Sequence, residues 1–153
     1  MAGVTNKGKL ILAKLALANV GVTSGFKLAL VTSAVAPTAD TNTFSELTEI
    51  AAGNGYTSGG QSVSRNTTDW DTFTEDDTND LLRAYLKDFG WTASGGSIPA
   101  SGNGARYAVL LDDNATVADR VVIMWWDLGA DRSASVGQSI TLVDAEYRVG
   151  ELA

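Results

Sequence analysis

Arg120-Val121-Val122-Ile123-Met124-Trp125-Trp126-Asp127-Leu128 is the stretch on which the reading of this chain turns. From Val121 to Trp126 every residue is apolar, whereas a strand with one wet face alternates apolar and polar side chains. The segment therefore reads as a strand covered on both faces. Two accounts of the second cover stand side by side. Either the strand lies between its sheet and an N-terminal helix, or one face meets another subunit. Aromatic residues and Met are enriched at the centres of protein interfaces. Met124, Trp125 and Trp126 are thus the expected contact residues if they face outward.

Working outward, Arg106–Asp112 forms a second apolar strand, joined to the first through Asp112-Asp113-Asn114, three polar residues of the kind a hairpin turn uses. Phe26–Thr32 alternates, with Phe26, Leu28 and Leu30 on one face. Leu82–Thr92 and Ser139–Val149 also alternate, and shorter strands are expected near Gln61–Arg65 and Trp70–Thr74. Phe44–Ile50 suits a short helical turn, and Asn54-Gly55 is a turn dipeptide. Two long connections, Ser33–Thr43 with Pro37 and Ser94–Gly104 with Ile98 and Pro99, are expected to be free to reach a neighbour. Residues from about Thr5 to Asn19 have helix character, with Thr5 or Asn6 as cap, a stripe of Ile11, Leu15 and Ala18, and Gly21 ending the run. Six to eight short strands after one helix predict a mainly β chain, a β-sandwich or jelly-roll-like single domain spanning residues 1–153.

Composition narrows the chemistry. The chain has no Cys and no His, which removes disulfides, thiolate metal sites, the commonest general base and the commonest transition-metal ligand. Serine-triad and zinc-hydrolase chemistry in their usual forms are excluded. The net charge of −7 repels nucleic acid, since DNA binding needs Lys and Arg to displace counterions. The apolar run from Leu10 to Ala18 imitates a signal sequence, but Lys14 interrupts it and it is too short to span a bilayer, so it is read as part of the fold. No nucleic-acid or membrane partner is expected.

Candidate sites follow from clusters. Glu75 to Asp80 is acidic, and Asp76, Asp77 and Asp80 are the calcium candidates, because that ion takes six to eight hard oxygen ligands. Their spacing departs from the calcium-loop pattern, and the same residues suit a solvated turn that discourages strand aggregation. The expectation is no metal and no cofactor. Eighteen acids could supply a glycosidase pair by chance, yet no local motif selects two. Gly102-Asn103-Gly104 lacks the third Gly of a dinucleotide fingerprint and precedes a strand, so it is a turn. Trp91, Trp125 and Trp126 with Tyr85, Phe89 and Tyr107 could stack sugar rings or pack a core.

The order of features carries a resemblance. A short helix precedes the apolar strand at Leu28 to Val31, then come Ser45-Glu46-Leu47-Thr48-Glu49-Ile50 and Gly53-Asn54-Gly55-Tyr56-Thr57. Trp91-Thr92-Ala93-Ser94-Gly95-Gly96 follows, then Gly104 to Asn114, the strand ending Trp125-Trp126-Asp127-Leu128, and a closing Val136 to Val149. Together these resemble the small virion structural proteins of tailed bacteriophages. The resemblance implies a jelly-roll-like fold, no catalysis, and multiple copies in the virion bound to the major capsid protein or other virion subunits. A capsid cement or decoration role is the first expectation. A tail, connector or fibre-associated subunit, or a carbohydrate- or receptor-binding module, is the alternative.

Overall fold

A computed structural model describes residues 2–18 and 25–150. In chain order the elements are β1 (Ala2–Val4), α1 (Asn6–Ala18), β2 (Phe26–Val31), β3 (Gln61–Val63), β4 (Trp70–Asp76), β5 (Leu81–Leu86), β6 (Phe89–Thr92), β7 (Ala105–Asp112), β8 (Val122–Arg132), β9 (Ser139–Leu142) and β10 (Ala145–Gly150). Short 3-10 turns lie at Phe44–Glu46 and Val117–Asp119. The strands form three antiparallel sheets, ordered β1-β8-β7-β2-β3, β10-β5-β4 and β6-β9. The protein is mainly β and sandwich-like, with one N-terminal helix.

The larger core fills the space between the five-stranded sheet and the two smaller ones. Leu28, Leu30, Ala108, Leu110 and Trp126 meet Leu86, Trp91, Ile140, Leu142 and Ala145 there. The opposite face of the same sheet is also covered: Ala29, Val31, Val109, Leu111 and Val122 pack under Phe44 and Leu47. Thus β2 and β7 are buried on both sides, which is why neither alternates cleanly at its centre. Each fully buried Leu or Val contributes roughly 1.5–3 kcal/mol over its exposed state.

The six-residue apolar run in and before β8 has a more particular cause. Leu110 pairs with Met124 but Leu111 pairs with Val122, so β8 carries one extra residue, a bulge at Ile123. The bulge turns Ile123 and Met124 towards the same core, while Val122 faces the other. Helix α1 closes on this bulge. The Thr5 N–H donates to the Ile123 carbonyl at 3.0 Å, and the Thr5 hydroxyl donates to the Val122 carbonyl. The same hydroxyl accepts the Gly8 N–H at 2.8 Å, so Thr5 is the helix N-cap. Of the expected helical stripe, Ile11 is buried and Leu12 and Leu15 are half-buried, whereas Ala18 is exposed. Asn19 and Gly21, expected at the helix end, lie outside the described residues.

Several segments differ from expectation. Leu82–Thr92 is not one strand: Lys87 and Asp88 break it, and β5 and β6 join different sheets; Ser139–Val149 is likewise broken at Val143 and Asp144 into β9 and β10, which pair with β6 and β5 respectively. The Lys87 N–H donates to the Asp69 carbonyl at 2.9 Å, which turns the chain there. The connection from β7 to β8 is longer than Asp112-Asp113-Asn114, because a 3-10 turn intervenes. Asp112 still serves as a turn residue, its carboxylate accepting the Val121 N–H at 3.0 Å. The two long loops are pinned rather than free. The Ala39 carbonyl accepts the Asn6 N–H at 2.7 Å, and Ile98 exchanges two backbone hydrogen bonds with Ala134 at 2.9 and 2.8 Å.

Candidate binding cleft

The residues singled out as contacts are mostly spent inside the chain. Met124 and Trp126 lie in the main core, Ile98 is fully buried, and Pro37 and Pro99 are buried. The pinned loops turn Pro37, Ile98 and Pro99 inward, and what little Met124 and Trp126 expose lines the cleft described below. Trp125 alone of the six is half-exposed, resting on Gly3 of β1. Trp91 of β6 is 1% exposed, so it is spent in the main core and has no face on which a sugar could stack.

The acidic segment is a hairpin end. Asp76 closes β4, pairs with Leu81, and binds the Arg83 guanidinium at 2.6 Å and the Asn79 amide at 2.9 Å. The Asn79 hydrogen bond, followed by the charge of Arg83, holds the Asp76 carboxyl below the usual carboxylate range. Asp77 and Asp80 are exposed in the turn itself. Among the described residues no three His, Cys, Asp or Glu side chains gather as a metal-holding group. The carboxylate of Asp76 is already occupied by Arg83 and Asn79.

A cleft of about 800 Å³ is lined by residues of β1, β8, β9 and β10. Its floor includes Met124, Trp126, Ile140 and Leu142, and its rim includes Asp127, Arg132, Asp144, Glu146 and Arg148. This volume falls in the usual range for ligand sites. A smaller groove of about 350 Å³ under α1, lined by Leu12, Leu15, Trp70 and Phe73, is chiefly apolar.

Charge in the larger cleft is arranged in pairs. Arg106 binds Asp127 through two bonds, Nε to Oδ1 at 2.8 Å and Nη2 to Oδ2 at 3.1 Å. The Gly129 N–H adds a third at 2.8 Å, and these hydrogen bonds, Arg106 first, hold the Asp127 carboxyl below its ordinary range. Glu146 accepts from Arg148 at 2.7 Å and lies 3.5 Å from Arg83. It also accepts from the Tyr85 hydroxyl at 3.3 Å. Arg83 and Arg148 stand directly opposite each other on β5 and β10, a repulsive pairing that the shared Glu146 offsets.

Two features escaped sequence reasoning. One is Glu49, whose Oε1 accepts from the Tyr56 hydroxyl at 2.7 Å and the Gly59 N–H at 2.6 Å, while Oε2 accepts from Ser58 at 2.9 Å. Tyr56 in turn accepts the Leu30 N–H at 3.0 Å, and its burial pushes the phenol well above its ordinary value. No local spacing announces this knot. The other is Glu46, whose carboxylate accepts the Thr43 N–H at 3.1 Å. Here Thr43-x-x-Glu46 is a capping-box signature, and it was legible.

What fold and cleft define is a class: a mainly β, sandwich-like protein with a cleft lined by strand residues and paired charges. Comparison with known proteins finds no matching family model, no matching curated protein and no matching solved structure.

Proposed function

We propose that this chain is a structural protein of a tailed-bacteriophage virion, a cement or decoration subunit that stabilises the capsid shell by protein–protein contact. The observation that carries the reading is the cleft. Its walls are strand edges and its carboxylates Asp127 and Glu146 are tied to guanidinium groups. What such a surface recognises is polypeptide rather than a small reacting molecule. The order of sequence features, which resembles small virion structural proteins, supports the setting.

The mechanism is mechanical. A preformed sandwich spans neighbouring shell subunits, and apolar surface removed from water contributes roughly 2.5 kcal/mol per 100 Å² before the costs of association. Symmetry repeats each modest contact around the particle. The sugar-binding alternative loses its main residue with the burial of Trp91.

The test is to incubate the purified protein with tailed-phage shells and image the particles. Saturable density on the shell at symmetry-related positions is the expected result. Density confined to the tail would move the assignment to a tail or connector subunit, and no association with either would refute a virion role.

A further inference from the structure

Two Asn-Gly pairs, Asn54-Gly55 and Asn103-Gly104, lie in turns that the proposed shell contacts leave unused. Such a pair has a chemistry of its own. A glycine carries no side chain to shield its backbone nitrogen, so that nitrogen can reach the side-chain carbonyl carbon of the asparagine before it. How firmly the fold holds each pair decides whether it does. Asn54 is clamped. Its turn is closed by the Gly53 N–H donating to the Tyr56 carbonyl at 2.8 Å and the Tyr56 N–H donating to the Gly53 carbonyl at 3.0 Å. Both central residues have positive φ, 56° at Asn54 and 107° at Gly55. The Asn54 side-chain amide donates to the Ser97 carbonyl at 2.9 Å, and the Asn54 backbone carbonyl accepts the Ser94 N–H at 2.8 Å. Gly96 lies against that side chain, and the Thr92 carbonyl oxygen fills the place a side chain on Gly55 would need.

Asn103 is held by nothing comparable. The pinning of its loop ends at Ala100, whose N–H donates to the Ala51 carbonyl at 3.3 Å. From Ser101 to Gly104, no side-chain hydrogen bond and no backbone hydrogen bond outside the strand ladders is made among the described residues. Asn103 is exposed, and Gly102 before it has a φ of 76° with open space where a side chain would stand. Gly104 is required for a separate reason: a Cβ there would sit 2.7 Å from the Arg132 carbonyl oxygen. Close approach of the chain to β8 at the start of β7 therefore keeps a glycine after Asn103, and the reactive pair with it.

We infer that Asn103 is a site of spontaneous covalent modification in the folded protein, converting to aspartate and isoaspartate, while Asn54 is protected. Hydroxide takes the Gly104 N–H proton as that nitrogen forms a bond to Cγ of Asn103. The bond from Cγ to the side-chain nitrogen breaks, the nitrogen leaves as ammonia with a proton from water, and a cyclic imide remains. Water then adds to one imide carbonyl and breaks its bond to the Gly104 nitrogen. Addition at the side-chain carbonyl gives aspartate. Addition at the backbone carbonyl leaves the chain running through the side chain, which is isoaspartate. In sum one water is consumed and one ammonia released, with nothing oxidised or reduced. Either product adds a carboxylate, which is ionised at neutral pH and makes the net charge of −7 one unit more negative. With no hydrogen bond to break there, the loop takes the charge and the longer backbone without unfolding.

Ageing the purified full chain tests this. One sample is kept warm at mildly alkaline pH, and a second is kept in the same buffer with concentrated guanidinium chloride. Both are sampled over days, digested under mildly acidic conditions, and mapped by mass spectrometry with electron-transfer fragmentation, which tells isoaspartate from aspartate. In the folded sample Asn103 should convert at least about tenfold faster than Asn54, because reaction at Asn54 must first break its bond to Ser97 and open the turn. In denaturant the two rates should converge. Asn103→Gln, whose longer side chain closes a larger ring slowly, should remove the modification at this position and leave the rate at Asn54 unchanged. Conversion of Asn54 as fast as Asn103 in the folded sample would overturn the inference. So would an Asn103 that persists in the folded chain while both residues convert in denaturant, a comparison that needs no variant. Aspartate without isoaspartate would rule out the cyclic imide, and a Tm that falls in step with conversion would refute the tolerance of the loop.

Discussion

Replacing Gly8 by Ala sets two opposed effects against each other, and the structure decides the sign. Gly8 lies in α1, where Ala is favoured over Gly by about 1 kcal/mol. Helix propensity alone therefore predicts a more stable protein. A Cβ at residue 8, however, would sit 2.8 Å from the carbonyl carbon and Cα of Ile123 and closer still to its oxygen. Ordinary carbon contacts are about 3.5–4.0 Å, so α1 would have to retreat by about 1 Å. Those neighbours are backbone atoms at a bulge tied down by Thr5, and they have no rotamer into which to move. Overpacking of this kind costs typically about 1–3 kcal/mol. Retreat also stretches the 3.0 Å hydrogen bond from the Thr5 N–H to the Ile123 carbonyl, worth about 1 kcal/mol. The net expectation is a loss of about 1–3 kcal/mol. At 2 kcal/mol that lowers Tm by about 4–8 °C for a chain of this size. Urea unfolding, followed by tryptophan fluorescence, measures it, with Ala13→Gly on the exposed side of α1 calibrating the propensity effect alone. A Gly8→Ala midpoint at or above wild type, with an unchanged slope, would refute the close-approach argument.

Three further outcomes are expected. Tyr56→Phe should cost about 1–3 kcal/mol by stranding the Leu30 N–H and one partner of Glu49, as thermal melts would register. Because the folded phenol ionises above its ordinary value, its stabilisation is complete below about pH 10 and is lost as pH rises further. Absorbance near 295 nm should therefore show one tyrosine that ionises only with unfolding, and early ionisation of all four would contradict its burial. The lowered carboxyl of Asp127 acts with the opposite sign: its contribution is present above about pH 4 and disappears as pH falls through the depressed folded value. Asp127→Asn should flatten the acid limb of the stability curve, and an unchanged limb would argue against the Arg106 pair. Trp126→Ala, which empties a core site and frees the Glu146 carbonyl, should cost about 3–5 kcal/mol in denaturant unfolding. A variant as stable as wild type would show that β8 is misplaced.

The amino-acid sequence by itself determined the class of fold and most of its strands. Apolar residues at every second position located β2, unbroken apolar runs located β7 and β8, and Thr5 with the residues after it located α1, because side-chain period and capping are local properties, whereas the single alternating run Ser139–Val149 gave no sign of the break between β9 and β10. It also removed thiol and imidazole chemistry outright, since no fold supplies an absent side chain. Only tertiary structure decided which apolar residues face inward. The bulge that sends Ile123 and Met124 to one core depends on the register with Leu110 and Leu111 across a strand pair, and no spacing within β8 encodes it. The break at Lys87 and Asp88 is likewise set by the sheets that β5 and β6 join. The cleft is more distant still from the sequence: β1, β9 and β10 come from opposite ends of the chain, and they line one concavity only when three sheets close around a common core.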